Sequence, residues 1–458
     1  MHQVSFRFSR RAVSVMLWVA CFASIAIADE SRINVSLVGD HAMPTNIVRP
    51  GAQWNFGPGS LWTHRGWQYA AYWDDARQVS VARRQLPAGQ WSVVSLPGYQ
   101  RTANIDRGKG GKISQGFGDG HEKVSMGISS DGFIHLSFDH HLSTLRYRHS
   151  RHPVADSPQS TRWNAEVFGP VKDNLGQVRM LRNRRNRSRS PSYKIESVTY
   201  PNFIVADDAL LLYLRLGGGS GSANSHLFNY QRGRWIVNQE FSSQFIDKNW
   251  SGGDGTVNAY PNGIVCHQGR LHTTWCWRDT PDPSTSHDLC YAYSDDYGIS
   301  WRNSDGAIIA KTGRSYITAD SPGVTVWKIS AGKKYKNGGS MTVDNDGRVH
   351  VLSRDEDGSP THFQRDPKTK KWSKHDSSQS GTILAGSDDA LFIVSEQGLY
   401  LTSAKNFGSA KLIANGKPEL MDDSRISVDR TRLAHDGWIS VIGQQGKRVS
   451  VIDYFVGK

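Results

Sequence analysis

Short alternations of apolar and polar side chains, each launched by a turn, recur along this chain. The clearest leads into His140. Phe133, His135, Ser137 and Asp139 fall on one face, and Ile134, Leu136, Phe138 and His140 on the other, which is the period of two of a half-buried strand. The same unit is RGWQYAAYWD at 65–74, DGFIHLSFDHH at 131–141, DDALLLYLR at 207–215 and QGRLHTTWCWR at 268–278. It returns as DGRVHVLSR at 346–354, QGLYLTSA at 397–404 and DGWISVIGQ at 436–444. Helical periodicity is scarce between them. Regular strands with turn punctuation at this spacing predict an all-β fold, a seven-bladed β-propeller with one blade per unit. A sandwich also has short strands, but seldom so many spaced units. A single propeller domain is expected over 29–458, its C-terminal strand near Val449 to Phe455 closing the ring against the N-terminal portion.

Composition changes the picture at two points. Residues 1–28 read as a secretory signal peptide, with Arg7, Arg10 and Arg11 before an apolar run and Ala26-Ile27-Ala28 as the cleavage site. Acylation of Cys21 is the weaker reading, since Trp18 fits poorly three residues before it. A secreted or periplasmic protein is therefore expected, and no later apolar run approaches the roughly 20 residues that span a bilayer. The formal charge of +13 loses three arginines with the signal and becomes +10. An exported basic protein without long Lys/Arg runs suggests an anionic partner; charge alone leaves nucleic acid, acidic polysaccharide and membrane headgroups open. Ser294 to Trp301 (SDDYGISW) fits the S-x-D-x-G-x-S-W Asp-box, a hairpin corner of sialidase-like propellers that carries no catalytic information.

If the units are blades, equivalent strand ends gather at one mouth of the channel. His140 and His141, Arg215, Arg278 and Arg354 close four consecutive units. Imidazoles titrate near neutral pH, and guanidiniums suit bidentate contact with carboxylate or sulfate. A solvated strand end is the ordinary reading of any one of them; the repetition favours an anion site.

The stretch from Gly118 to Ser150, VTYPNF (198–203), YLRLGGGSGSAN (213–224), NAYPNGI (258–264) and 275–301 together resemble the BNR-repeat propeller polysaccharide lyases. That group includes ulvan lyases and rhamnose–glucuronate lyases. The resemblance implies a seven-bladed propeller that cleaves uronate-containing acidic polysaccharide, sulfated or not, by β-elimination. It implies no nucleic acid or membrane partner and no catalytic cofactor, and a monomer is expected. The family's essential histidines match His121 and His141, its T-Y-P tyrosine Tyr200, the following arginine Arg215 and a further site tyrosine Tyr260. Substrate contacts are expected from Tyr260, His140, Arg278, Arg354 and Asn224. Two residues depart from the family: Glu122 stands where asparagine is usual, and His140 precedes the second histidine. Glu122 would repel a substrate carboxylate and leave its neutralisation to Arg215. The basic run 182–191 reads as a solvated loop or a clamp for sulfated sugar.

The chemistry suits these side chains. A base takes the C5 proton of a uronate while the C4–O bond breaks, and neutralising the adjacent carboxylate makes that proton acidic. His121 and Tyr200 form the proton-transfer pair, the order depending on the C5 epimer, and His141 orients or shares the proton work. Ulvan ranks above the less charged gum-type glycans, where an exo-acting lyase would work. A sialidase-like hydrolase lacks its R-I-P entry motif here, and a non-catalytic lectin would not need the His–Tyr–Arg set. Cys266, Cys276 and Cys290 are odd in number and cannot all pair. Cys276, His287 and Cys290 are candidate ligands of a structural zinc with an unidentified fourth ligand; a Cys276–Cys290 disulfide is the alternative.

Overall fold

The computed structural model describes residues 33–44, 56–101, 104–107, 113–116, 121–176, 179–180, 194–218, 222–237, 243–249, 256–416 and 426–457. The expected signal peptide and the basic run 182–191 lie outside the described residues. Seven sheets, antiparallel except for one short parallel pairing in blade 3 (Arg179–Met180 with Arg234–Val237), follow one another along the chain as the blades of a propeller. Blade 1 is Leu61–His64, Trp67–Trp73, Val79–Gln85 and Ser92–Leu96; blade 2 is Val124–Ile128, Ile134–Phe138 and Tyr147–His149. Blade 3 is built on Val198–Ala206, Ala209–Gly217 and Ala223–Gln231, and blade 4 on Asn258–His267, Arg270–Arg278 and Ser286–Ser294. Blades 5 and 6 run from Ser340–Val343 to Trp372–Asp376 and from Thr382–Ala385 to Lys411–Asn415. Blade 7 takes Ser427–Val428, Trp438–Gln445 and Arg448–Phe455 from the C-terminal end, and Ile33–Gly39 pairs antiparallel with Arg448–Phe455 to complete it. The ring closes as expected from the sequence.

Apolar side chains pack between neighbouring blades rather than within one centre. Successive clusters join blades 1 to 3, 3 to 4, 4 to 5, 5 to 6, 6 to 7 and, through Val38, Ile442, Val449, Leu61 and Tyr72, blade 7 back to blade 1. Each fully buried Leu, Val or Phe contributes about 1.5–3 kcal/mol. That is why a strand of alternating pattern suffices here: each face meets a different neighbour. The closure also carries a buried polar lock. Asp453 of blade 7 binds Arg84 of blade 1 at 2.6 Å and Arg432 at 2.5 Å. Asp429 accepts from Thr63 at 2.6 Å and from Gln68 at 3.0 Å.

Six of the seven sequence units are the second strands of their blades. The unit at 397–404 is the exception: it falls on Gly398–Ser403, the third strand of blade 6, and the second strand is Ala390–Ser395. The turn before that second strand is Asp388-Asp389, both residues at positive φ (50° and 64°) without a glycine. Aspartate tolerates the left-handed region better than most residues, so the recognisable glycine signal stands at the next hairpin turn, at Gly398.

The Asp-box forms the expected corner of blade 4. Asp296 accepts from Ser294 Oγ (2.8 Å), Ser300 N (2.8 Å) and Ser300 Oγ (2.6 Å), and Trp301 is fully buried. Gly298 stands at φ 85°, where an added Cβ would meet Leu227 at 2.7 Å.

Candidate active site

Three consecutive blades present their residues by one rule: one group enters with the first strand and one leaves with the second. Blade 2 gives His121 before Val124 and His141 after Phe138; blade 3 gives Tyr200 and Arg215; blade 4 gives Tyr260 and Arg278. In an antiparallel pair those two ends are neighbours. Thr199 faces Arg215 and Asn258 faces Arg278 in register.

Both tyrosines sit in the same local sequence, Tyr-Pro-Asn, and the ladder register slips there, between Thr199 and Asn202 and between Pro261 and Gly263. Proline lacks an N–H for the ladder, so a bulge is its natural place. Bulges re-aim side chains. Tyr200 additionally has φ 56°, a left-handed conformation that a bulky residue holds only when its surroundings enforce it.

The result is one continuous cluster. The His121 and His141 rings stack with centroids 4.4 Å apart, and His121 meets Tyr200 edge-on at 5.2 Å. Tyr200 lies 6.3 Å from Tyr260. The Arg215 guanidinium is 4.7 Å from both tyrosine rings, and that of Arg278 is 5.1 Å from Tyr260. Arg215 is 3% exposed, yet its Nε and Nη1 have no hydrogen-bond partner among the described residues. Burying a charged donor without an acceptor is costly, so the geometry is that of a socket for an anion. Burial pushes the Tyr200 phenol up to about 12 against the opposing pull of Arg215 and Arg278, so it carries its proton at neutral pH.

The remaining expected residues fall elsewhere. His140 is buried, not a substrate contact. Its Nε2 lies 3.0 Å from Ser137 Oγ and its Nδ1 3.2 Å from Ser143 Oγ, and burial holds it near pKa 3, hence neutral. It pegs the turn that presents the exposed His141. Arg278 gives Nε to Thr280 O at 3.0 Å and Nη2 to Pro281 O, which hold it against Tyr260. Arg354 is exposed and donates to Gly358 O of its own turn at 2.8 Å. Asn224 accepts from Lys248 N at 2.9 Å, a bond that ties blade 3 to the following segment. Glu122 does not confront substrate: it is buried and paired with Arg101 at 3.2 Å.

Neither reading of the cysteines fits. Cys266, Cys276 and Cys290 are free thiols. The Cys290 sulfur faces Thr325 Oγ1 at 3.8 Å, and His287 is held at both nitrogens, 3.0 Å from Asp279 and 3.2 Å from Asp288. Among the described residues no group of three or more His, Cys, Asp or Glu side chains is gathered as a metal site, and the residues do not fit a structural zinc.

A seven-bladed propeller with a His–Tyr–Arg cluster spanning three blade ends is thus the class of molecule. Residues 67–380 match the model of the BNR repeat-containing family, and the chain belongs to that family. The long isoform of ulvan lyase from Pseudoalteromonas sp. (strain PLSV) is 25% identical over 308 residues, 61% of this chain and 29% of that protein. The long isoform from Alteromonas sp is 25% identical over 313 residues, with the same shares. The match therefore spans less than a third of those relatives' length. Among solved structures, polysaccharide lyase Uly1 superposes with a TM-score of 0.67, at 15% identity, over 93% of this chain and 99% of its own. A PL25 ulvan lyase gives 0.60 at 12% identity, over 91% and 94%. These likenesses establish the shared fold. Among the described residues no helix is long and apolar enough to cross a membrane.

Proposed function

We propose that this chain is an exported polysaccharide lyase that cleaves uronate-containing acidic polysaccharide of the ulvan type by β-elimination. The observation that carries the reading is Arg215: a buried guanidinium with two unpartnered N–H groups, flanked by both tyrosines and adjoining the His121–Tyr200 contact. A uronate carboxylate fills that socket, and its charge is met in a water-poor setting as the C5–H bond weakens. Tyr200, protonated at neutral pH, donates to the leaving C4 oxygen, and His121 accepts the C5 proton. Electrons pass from the C5–H bond into the new C4–C5 double bond and out with the C4 oxygen, leaving an unsaturated uronate end. His141, stacked on His121, orients that ring. Arg278 extends the positive face toward a neighbouring sugar.

The substrate class is supported by the sequence relatives, which are ulvan lyases, and by a solved PL25 ulvan lyase bound to GlcA(1-4)Rha3S, similar to this chain with a TM-score of 0.57. The basic charge of the chain agrees with a polyanion. The test is unsaturated-uronate absorbance on native ulvan, desulfated ulvan, gum arabic and a heparinoid. Release from ulvan is expected, with a KM that rises on desulfation and with salt, since surface charge contacts are screened within about 8–10 Å. Ready cleavage of gum arabic with a KM on ulvan indifferent to both would replace ulvan by gum-type rhamnose–glucuronate glycans. No product from any of them would end the lyase reading.

A further inference from the structure

The two stacked histidines flank blade 2, and neither lies inside a long strand. His121 precedes Val124, and His141 opens the three-residue strand His141–Ser143 between Asp139 and Leu142, which have φ 62° and 56°. Stacked rings 4.4 Å apart on two such segments need something beneath them that ties the segments together.

That tie is Arg101, 1% exposed. Its Nη2 donates to Oε2 of Glu122, the residue after His121, at 3.2 Å, and its Nε faces Oδ1 of Asp139, two residues before His141, at 3.9 Å, a charge–charge contact too long for a hydrogen bond. Both acidic residues are themselves anchored, Glu122 by its backbone carbonyl and Asp139 by its carboxylate. Trp73 Nε1 donates to the Glu122 carbonyl at 2.9 Å, and Arg101 lies 5.7 Å from the same indole. The Asp139 carboxylate accepts the Tyr99 hydroxyl and has Arg146 Nη1 at 3.8 Å. A backbone bond from Asp139 N to Lys123 O (3.3 Å) runs alongside.

We propose that Arg101 is the positioning residue of the histidine pair: one guanidinium bridges Glu122 and Asp139 and thereby sets the separation and tilt of His121 and His141. A planar fork addresses two carboxylates at once, whereas a lysine ammonium is a point charge on a flexible stem. The arrangement also explains how glutamate is tolerated beside His121. Its charge is spent inward on Arg101, so the mouth above stays positive.

The structural arm of the test needs no substrate, so it stands or falls separately from the lyase reading on which the kinetic arm rests. Histidine ring-proton NMR shifts report the stacking directly. In folded Arg101→Lys, the His121 and His141 resonances should move while those of His267 and His435 stay. The kinetic arm should show kcat on ulvan falling about 10-fold or more with KM within about twofold, as sub-ångström misplacement of catalytic groups costs rate rather than binding. If Arg101→Lys does not fold, the neutral triple Arg101→Met/Glu122→Gln/Asp139→Asn removes the buried charges together and should show the same shifts. A folded variant of either kind with His121 and His141 at wild-type positions overturns the proposal.

Discussion

Arg215 has left water without gaining a carboxylate partner among the described residues. Its side chain also fills space between Tyr200 and Tyr260, so it serves packing as well as charge, and truncation to alanine would confound the two. Arg215→Met keeps most of the volume. It is expected to remain folded by circular dichroism while kcat/KM on uronate polymer falls by about 10²–10⁴, the range for loss of one preorganised electrostatic or proton-transfer group. Tyr200→Phe should lose activity to a similar degree, because the ring and its contacts with Arg215 survive and only the proton is gone. A Tyr200 phenol near 12 also fixes the alkaline side of the rate profile. The group acts in its protonated form, present below that value and lost above it, so no decline from this residue is expected up to about pH 10. A steep fall in kcat between pH 8 and 9 that disappears in Tyr200→Phe would contradict the donor role.

At the scale of elements, the Asp-box separates architecture from chemistry. Asp296→Ala removes the acceptor for Ser294 and Ser300 and should lower unfolding free energy by about 1–3 kcal/mol, read by urea titration, with kcat unchanged. Gly298→Ala should cost at least as much, from its positive φ and the encounter with Leu227. How far these elements could be read from sequence follows from what each depends on. Second strands such as 131–141 and 268–278 were legible because a turn glycine and a period of two are local properties. Blade 6 was misplaced because Asp388-Asp389 makes the same turn by a different residue. Arg215 and Arg278 were legible from equal strand ends in successive repeats, whereas His121, Tyr200 and Tyr260 came from motif likeness to the family. Arg101 was invisible: it follows Pro97-Gly98-Tyr99-Gln100 with no recurring pattern, and its partners Glu122 and Asp139 are a matter of tertiary contact.

The whole ring is held shut by contacts between the ends of the chain. Asp453→Ala would strand Arg84 and Arg432 as buried, unpaired charges, and a loss of about 3–5 kcal/mol is expected in thermal or urea unfolding. Asp453→Asn should cost less. Wild-type stability in Asp453→Ala would show that the lock is dispensable. The strand Ile33–Gly39 has its hydrogen-bonding partner in Arg448–Phe455, which is made only after the six blades between them. Contacts of such long sequence separation pay their loop-closure entropy before they return anything. That strand, with Val35 and Leu37 facing outward, therefore waits through the making of the intervening blades before it finds its place. Chronology, not only geometry, is written into this closure: among the strands of the ring, the one synthesised before the rest is the one that docks last, and a ribosome that still holds blade 7 holds an open ring.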